Sequence, residues 1–445
     1  MSAPSAEPPL QPTISLKRAL GLFAVTATGV GLILGAGIYV LVGPAAELAG
    51  NAVWASFLLA ALVAVLTGLS YAELSSMYPR AGASYEYVRH AFGLRAGFVV
   101  GWLVTLSLVV SVAAVALGFA GYFADLFQAP ATLVAVGLIA AAGLLAFWGI
   151  RESAWLAIAL TAIEVTGLLV VVAVGLPRLG DVDLLESATG LSGVLQATAF
   201  VFFAYVGFEN VANLAEEAHQ PERNIPRAIV LAVAITSVVY VLVALAAVSL
   251  VGWRALGSSD APLAAAVQVA LGERWADTLS VMALGATANT VLFMLIVASR
   301  IIYGMANAGS LPPALSRVHR SRRTPWLAVL AVSVGGAAFA LAGDIGAVAQ
   351  LTNFAIIASF VVVNLALVRL RQSQPQTPRP FKLSLTLRGA PVSALLGAGL
   401  CAYLLSTIDL PVALLGLGLA AAGFAADEAH RWWEARRARG AAGPP

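Results

Sequence analysis

Charge, cysteine, histidine and lysine are all scarce in this 445-residue chain, and each scarcity excludes something. Only 11% of the residues are charged, against about 25% in a soluble domain. No stretch between the apolar runs is long enough to fold as a separate soluble domain. Cys401 is the single cysteine, which rules out a disulfide framework or a thiolate metal site within one chain. The four histidines are scattered, so no metal-ligand cluster is expected. Lys17 and Lys382 are the only lysines, and neither lies in an apolar run. A Walker A motif is missing too, which argues against a drive by ATP. The net charge is a modest +3 with the basic residues spread among loops, which makes no case for nucleic acid. No cofactor and no obligate protein partner is called for.

What is plentiful is apolar sequence. Hydrophobic residues make up 60% of the chain, and nearly uninterrupted apolar runs of eighteen or more residues recur from end to end. Each reads as a membrane helix, so the expected class is an all-α polytopic membrane protein in a lipid bilayer. Twelve spans are expected at roughly 20–43, 52–77, 97–124, 130–149, 153–176, 193–216, 228–251, 276–305, 325–343, 346–369, 390–408 and 410–427. Met1 to Pro12 is polar and proline-containing, and reads as a tail rather than a signal peptide. With the N-terminus in the cytoplasm, only Arg178, Arg254 and Arg274 of the 25 Lys and Arg residues fall outside. That asymmetry predicts both termini in the cytoplasm. "HRWWEARRAR" near the C-terminus reads as an interfacial anchor. "SYEYVRHAFG", Ser84 to Gly93, is too short and polar to span and reads as a short interfacial helix.

Two spans carry interruptions. The first has Gly35-Ala36-Gly37 near its middle, within "GVGLILGAGIYVLVG". The sixth reads "FVFFAYVGFENVANLAEE", with Gly207 followed two residues later by Glu209. The glycine spacing in the first is not GxGxxG, and no strand–helix unit surrounds it, which excludes a dinucleotide turn. Close helix packing remains an alternative for these glycines, and suits Gly29 and Gly31. Breaks in the first and sixth spans, five apart in a run of ten, point to a transporter built on an inverted repeat. A half-helix beginning after Gly37 would offer free N–H groups and a positive dipole end to a carboxylate. One ending near Tyr205–Gly207 would offer carbonyls to an ammonium or a cation. Irregular backbone at membrane depth survives where it lines a cavity, so the pairing suggests a zwitterion.

Four motifs then carry a resemblance: "GLFAVTATGVGLILGAGIYVLVG", "SYAELSSMYPRAGASYEYV", "FFAYVGFENVANLAEEAHQPERNIPRAI" and "ASRIIYGMANAGSLPPALSRVH". Together they resemble the amino acid–polyamine–organocation superfamily of permeases, in its cationic amino acid transporter-like and broad-specificity bacterial branches. The resemblance covers spans 1 to 10. It implies the leucine-transporter-like fold of two inverted five-helix repeats, with two added helices. The expected division is a tail (1–19), a first repeat (20–176), an inverted second repeat (177–370), two additional helices (371–428) and a C-terminal tail (429–445). By that resemblance Gly35, Ala36 and Gly37 match the unwound segment whose amides hold the substrate carboxylate. Phe203, Tyr205, Val206 and Gly207 match the break whose carbonyls take the substrate amine, and Phe208 matches an aromatic gate. Phe203 reads equally well as a packed aromatic. Ile33 and Ile38 are further candidates for lining the pocket.

Polar residues at membrane depth add candidates for coupling. Glu164, central in span 5, needs a partner or water there. It is a candidate for the titrating group, for a sodium ligand or for a neutral structural acid. Some proton-coupled relatives carry a lysine at the matching position, and this chain departs from that pattern. Asn289 and Thr290 in span 8 match the region that completes a sodium site in sodium-coupled relatives, and oxygen ligands suit a hard cation. Thr290 could instead bond its own helix backbone. A proton ranks ahead of sodium as coupling ion, with an exchanger needing neither close behind. Glu209 could reach the pocket edge and favour a basic side chain, or cap freed backbone. Glu216 and Glu217, near Arg223 and Arg227, read as inner-gate salt bridges or as a solvated helix end. Glu73 is expected to pair with a loop arginine, and Arg300 to be a snorkelling anchor.

The function expected from these residues is secondary transport of L-α-amino acids by alternating access. A cationic amino acid or polyamine permease is the alternative within the class. A channel or a sensor is the alternative outside it. An intramembrane enzyme would need a catalytic pair or metal cluster, and the lone acids do not converge in sequence.

Overall fold

The computed structural model describes residues 18–425, apart from 128, 188, 260, 343–345, 409, 412 and 419, together with residue 428. The N-terminal tail and the "HRWWEARRAR" segment lie outside the described residues. In chain order the helices are α1 (Leu22–Ile33), α2 (Ala36–Ala49), α3 (Val53–Met77), α4 (Ala83–Phe92), α5 (Leu94–Phe127), α6 (Ala131–Trp148) and α7 (Ile150–Gly175). They continue as α8 (Leu191–Val201), α9 (Pro221–Gly257), α10 (Pro262–Leu271), α11 (Glu273–Asn307), α12 (Trp326–Ala342), α13 (Gly346–Ser373) and α14 (Val392–Ser406). Among the described residues nine helical segments are long and apolar enough to cross a membrane. The expected spans near 325–343, 390–408 and 410–427 correspond to helices of fewer than eighteen residues.

An all-helical design follows from the composition. Backbone groups in hydrocarbon must be satisfied within the segment, and a helix does that locally. Hydroxyls inside the spans obey the same rule: Thr105, Thr198, Thr236 and Ser249 each donate to the carbonyl four residues back. Large apolar side chains such as Leu62, Leu144, Val238 and Leu330 cover the outer surface. Small residues let the helices approach. A Cβ at Gly175 would lie 2.5 Å from the Ala246 Cβ, so only glycine permits that crossing of α7 and α9.

Three features lie outside the simple span pattern. Helix α4 is indeed helical, but Ala83 to Val88 are buried, so it is wedged into the bundle rather than laid on its surface. Helix α10 follows a kink at Gly252, where φ is +70°. A two-stranded hairpin, β1 (Thr386–Leu387) with β2 (Ala390–Pro391), precedes α14. Glu73 fastens this last segment. It accepts two hydrogen bonds of 2.6 Å from Arg371 and one of 2.9 Å from the Leu383 N–H, with Arg379 at 3.4 Å. The expected loop arginine is therefore present, joined by a second from the end of α13.

Candidate functional site

Both interruptions are real breaks, and they meet. Helix α1 ends at Ile33 and α2 begins at Ala36, with Gly35 between them at φ +65°. The second half-helix thus starts one residue before Gly37, and Gly37 sits in its first turn. In the sixth span α8 gives way to a 3₁₀ turn, Phe202–Tyr205, and then to a 3₁₀ helix, Phe208–Glu217. Gly207 stands between these at φ +137°. A Cβ there would lie 2.3 Å from the Leu32 carbonyl oxygen, and one at Gly37 would lie 2.9 Å from the Ala204 Cα. Glycine is required at each break for backbone angle, for space or for both.

A tyrosine from a third helix joins the two. The Tyr240 hydroxyl donates to the Ile33 carbonyl at 2.7 Å and lies 3.0 and 3.1 Å from the carbonyls of Ala204 and Leu34. One hydroxyl thereby lies within hydrogen-bond distance of carbonyls from both breaks. Its ring is held by Phe57 and Tyr205. The sequence drew no attention to Tyr240, because a lone tyrosine in an apolar run carries no local signal.

Between the breaks lies a cavity of about 60 Å³, room for on the order of four waters. Of the ten positions singled out at the breaks, Ile33, Gly37, Phe203, Val206 and Gly207 line it. Its other walls come from α5, α11 and α13, through Leu108, Val115, Phe293, Met294 and Ile356. Four polar side chains reach it: Ser111, Asn210, Thr290 and Thr352. No ionisable side chain is among the lining residues. Asn210 was missed by sequence reasoning. Its Nδ2 donates to Glu209 at 2.9 Å, and its Oδ1 is buried without a hydrogen-bond partner.

Several candidates sit elsewhere. Phe208 is buried against Tyr71 and Phe360 with ring centroids 5.9 and 5.2 Å away, and is not among the cavity-lining residues. The Tyr205 hydroxyl donates to the Phe57 carbonyl at 3.0 Å, and Ile38 is a buried core residue. Glu209 is committed to the backbone: its Oε2 accepts the Gly207 N–H at 2.8 Å. It caps the break rather than facing the cavity, because a freed N–H at this depth needs a charged or strong acceptor.

The coupling candidates form a layer behind Gly35. Glu164 on α7 is fully buried, and its carboxyl lies against the Gly35 amide without meeting hydrogen-bond geometry to any described residue. One turn away on the same face, Thr161 accepts a 2.9 Å bond from Asn289 Nδ2, and Asn289 Oδ1 is left unpartnered. Thr290 donates to the Ala286 carbonyl of its own helix at 3.0 Å, yet its hydroxyl oxygen would lie 2.4 Å from a Cβ at Gly35. It therefore touches the first break and the cavity at once. Among the described residues no group of three His, Cys, Asp or Glu side chains could hold a metal ion.

At the far end of the sixth span two expectations are corrected. Glu217 pairs with Arg300, not with Arg223 or Arg227: guanidinium nitrogens approach its two oxygens at 2.8 and 3.2 Å. Both side chains are fully buried, so Arg300 does not snorkel. An apolar setting holds the pair together because neither charge has water to turn to. Glu216 accepts the Ala81 N–H at 3.1 Å instead. The Glu217 carbonyl also accepts the N–H groups of Ala19 and Leu20, which ties the start of the first span to the end of the sixth.

Comparison with known proteins shows the family of the chain. A family profile described as amino acid permease matches residues 20–424. The branched-chain amino acid permease BcaP of Bacillus subtilis is 30% identical over 414 residues, 88% of each chain. The methylthioribose transporter of the same organism is 30% identical over 416 residues, 88% of this chain and 89% of that one. Human cationic amino acid transporter 4 is 32% identical over 396 residues, 82% of this chain and 62% of that protein. The chain belongs to the amino acid permease family, an integral multi-pass membrane family of transporters.

Proposed function

We propose that the chain is a secondary transporter of neutral L-α-amino acids with compact apolar side chains. It works by alternating access through twelve spans arranged as two inverted five-helix repeats plus two helices, with both termini cytoplasmic. One observation carries this reading: two helix breaks meet at a cavity whose walls are mostly apolar, with four uncharged polar side chains and no charged one. The start of α2 suits the substrate carboxylate through the free N–H groups of its first turn. The carbonyls before Gly207 and the unpartnered Asn210 Oδ1 suit the ammonium. Leu108, Val115, Phe203, Met294 and Ile356 would surround the side chain, and an apolar wall discriminates against a charged one by desolvation.

A cationic substrate would need a carboxylate in the cavity. Glu209, the nearest candidate, is spent on the Gly207 N–H. The name of BcaP supports the neutral reading, and the name of the human relative favours the cationic one.

Coupling to a proton rests on Glu164. Its carboxyl and the substrate carboxylate would share the Gly35–Gly37 end of α2, and two like charges at one helix terminus repel. A proton on Glu164 removes that repulsion, so substrate and proton favour each other's binding. The test is uptake of a labelled amino-acid panel by purified protein in liposomes, with proton and sodium gradients imposed separately. Valine- or leucine-sized substrates driven by a proton gradient are expected. Preference for arginine or a polyamine would overturn the neutral reading, and absence of transport and exchange for the whole panel would overturn transport. Glu164→Gln is expected to abolish gradient-driven uptake while sparing exchange, and unchanged gradient-driven uptake would remove Glu164 from the mechanism.

A further inference from the structure

Away from the central cavity, α6 and α12 cross antiparallel on the outside of the bundle. They touch at Gly143 and Ser333, where a Cβ on the glycine would lie 2.4 Å from the serine Oγ. The crossing leaves an apolar groove of about 470 Å³. Ile139, Ala140, Leu144, Val334 and Ala337 line its length, and Phe147 and Trp326 close one end. Leu144, Leu330 and Val334 are more than half exposed, so the groove opens to the surface that meets acyl chains.

At the Phe147–Trp326 end sits a loop of single-sign charge. Arg317, Arg320, Arg322 and Arg323 fall within seven residues, with no acidic residue between Gly309 and Gly343. None of the four has a carboxylate partner among the described residues, unlike Arg300 and Arg371. Arg317, Arg320 and Arg322 are exposed. A second hollow of about 540 Å³ is lined by Arg317, His319 and Arg320, and it shares Trp326 with the apolar groove.

The loop is also built, not loose. The His319 N–H donates to the Thr324 carbonyl and the Arg323 N–H to the His319 carbonyl, both at 2.9 Å. The Thr324 hydroxyl is fastened to the Phe147 carbonyl at 3.0 Å, which fixes the loop to the end of α6. Arg323 adopts φ +59°, a conformation that costs a non-glycine residue energy and persists where the surroundings impose it. The Arg322 guanidinium lies 5.7 Å over the Trp148 ring, at the rim of the groove.

We propose that this groove and loop form a binding site for an anionic phospholipid, with acyl chains along α6 and α12 and the phosphate headgroup among the four arginines. Apolar length joined to unpaired cationic end matches a lipid with a negative head. A neutral lipid would leave the arginines unanswered, and a soluble anion would leave the groove unfilled. Guanidinium groups suit phosphate through paired hydrogen bonds, and basic pockets between spans are suited to anionic headgroups.

The test uses the full-length protein in nanodiscs of equal phosphatidylglycerol and phosphatidylcholine, followed by partial delipidation. Native mass spectrometry then reads the ratio of the two lipids retained. Retention is expected to favour phosphatidylglycerol. Replacing Arg317, Arg320, Arg322 and Arg323 by Gln is expected to lower that preference at least about fivefold. The fourfold Lys version keeps most of it, and Arg223→Gln with Arg227→Gln leaves it unchanged. Ala140→Trp, which fills the groove, lowers retention of both lipids. If the fourfold Gln variant fails to fold, Arg317→Gln and Arg320→Gln carry the same comparison singly. Equal retention of both lipids by the wild type would overturn the proposal. So would a preference that survives arginine removal, or one that falls equally with Arg223 and Arg227.

Discussion

The two helix breaks solve one problem in opposite ways. At Gly35 the chain resumes at once as a fourteen-residue α-helix without a side-chain cap, and Gly37 of its first turn lines the cavity. At Gly207 it resumes as a 3₁₀ helix, and Glu209 has already taken the Gly207 N–H. The first break therefore offers donors. The second offers acceptors, namely the carbonyls before it and the Asn210 Oδ1. A chain with two identical breaks would bind two like groups. One break is thus capped by a side chain and the other is not, the contrast on which the proposed zwitterion site rests.

Four substitutions test the difference between the two breaks. Removing the buried anchor at the far end of the second break has the largest expected effect. Glu217→Ala leaves Arg300 charged and unpaired, and is expected to cost about 3–5 kcal/mol of stability, read as a lowered thermal unfolding midpoint. Replacing both partners by Met and Leu is expected to restore most of it. Next comes Gly207→Ala, which meets the Leu32 carbonyl and an unfavourable φ together. A strain of about 1–3 kcal/mol predicts roughly tenfold or greater loss of uptake at near-normal expression. Tyr240→Phe removes the one hydroxyl shared by carbonyls of both breaks. About 1–3 kcal/mol is expected, as weaker binding of zwitterions rather than altered side-chain preference. The smallest effect on rate, but the sharpest on selectivity, belongs to Asn210→Asp. A carboxylate in the cavity is expected to raise competition by arginine relative to valine several-fold, about 1 kcal/mol. An unchanged ratio would remove position 210 from the substrate's surroundings.

The breaks themselves were legible, because glycine in an apolar helix is a costly residue that needs a reason. Gly35 and Gly207 stand at the breaks, while α2 begins two residues earlier than expected, at Ala36, and takes Gly37 into its first turn. Glu73 was also readable, since an acid at the end of a span needs a nearby cation. What escaped reading depends on contacts between distant segments. Tyr240 bonds backbone some two hundred residues away, and no periodicity marks it. Arg300 looked like an anchor because helix-end arginines commonly reach water. Its carboxylate partner lies 83 residues earlier, while Arg223 and Arg227 are closer in sequence to Glu217 and do not pair with it. The surroundings of Phe208 were not legible either: its ring packs against Tyr71 and Phe360, from segments far away in the sequence.

In the proposed function the open break and the capped break together hold both ends of one neutral amino acid. Competition against labelled valine on the purified protein tests it most directly, using unlabelled valine, isobutylamine, isovalerate and arginine. Valine is predicted to compete fully. The amine, which lacks the carboxylate, and the acid, which lacks the ammonium, are each predicted to compete at least about tenfold more weakly, as expected for loss of a charged hydrogen-bonding group. Arginine is predicted to be weaker than valine. Competition by the amine or the acid equal to that of valine would contradict the two-ended site, and stronger competition by arginine would contradict its neutral character.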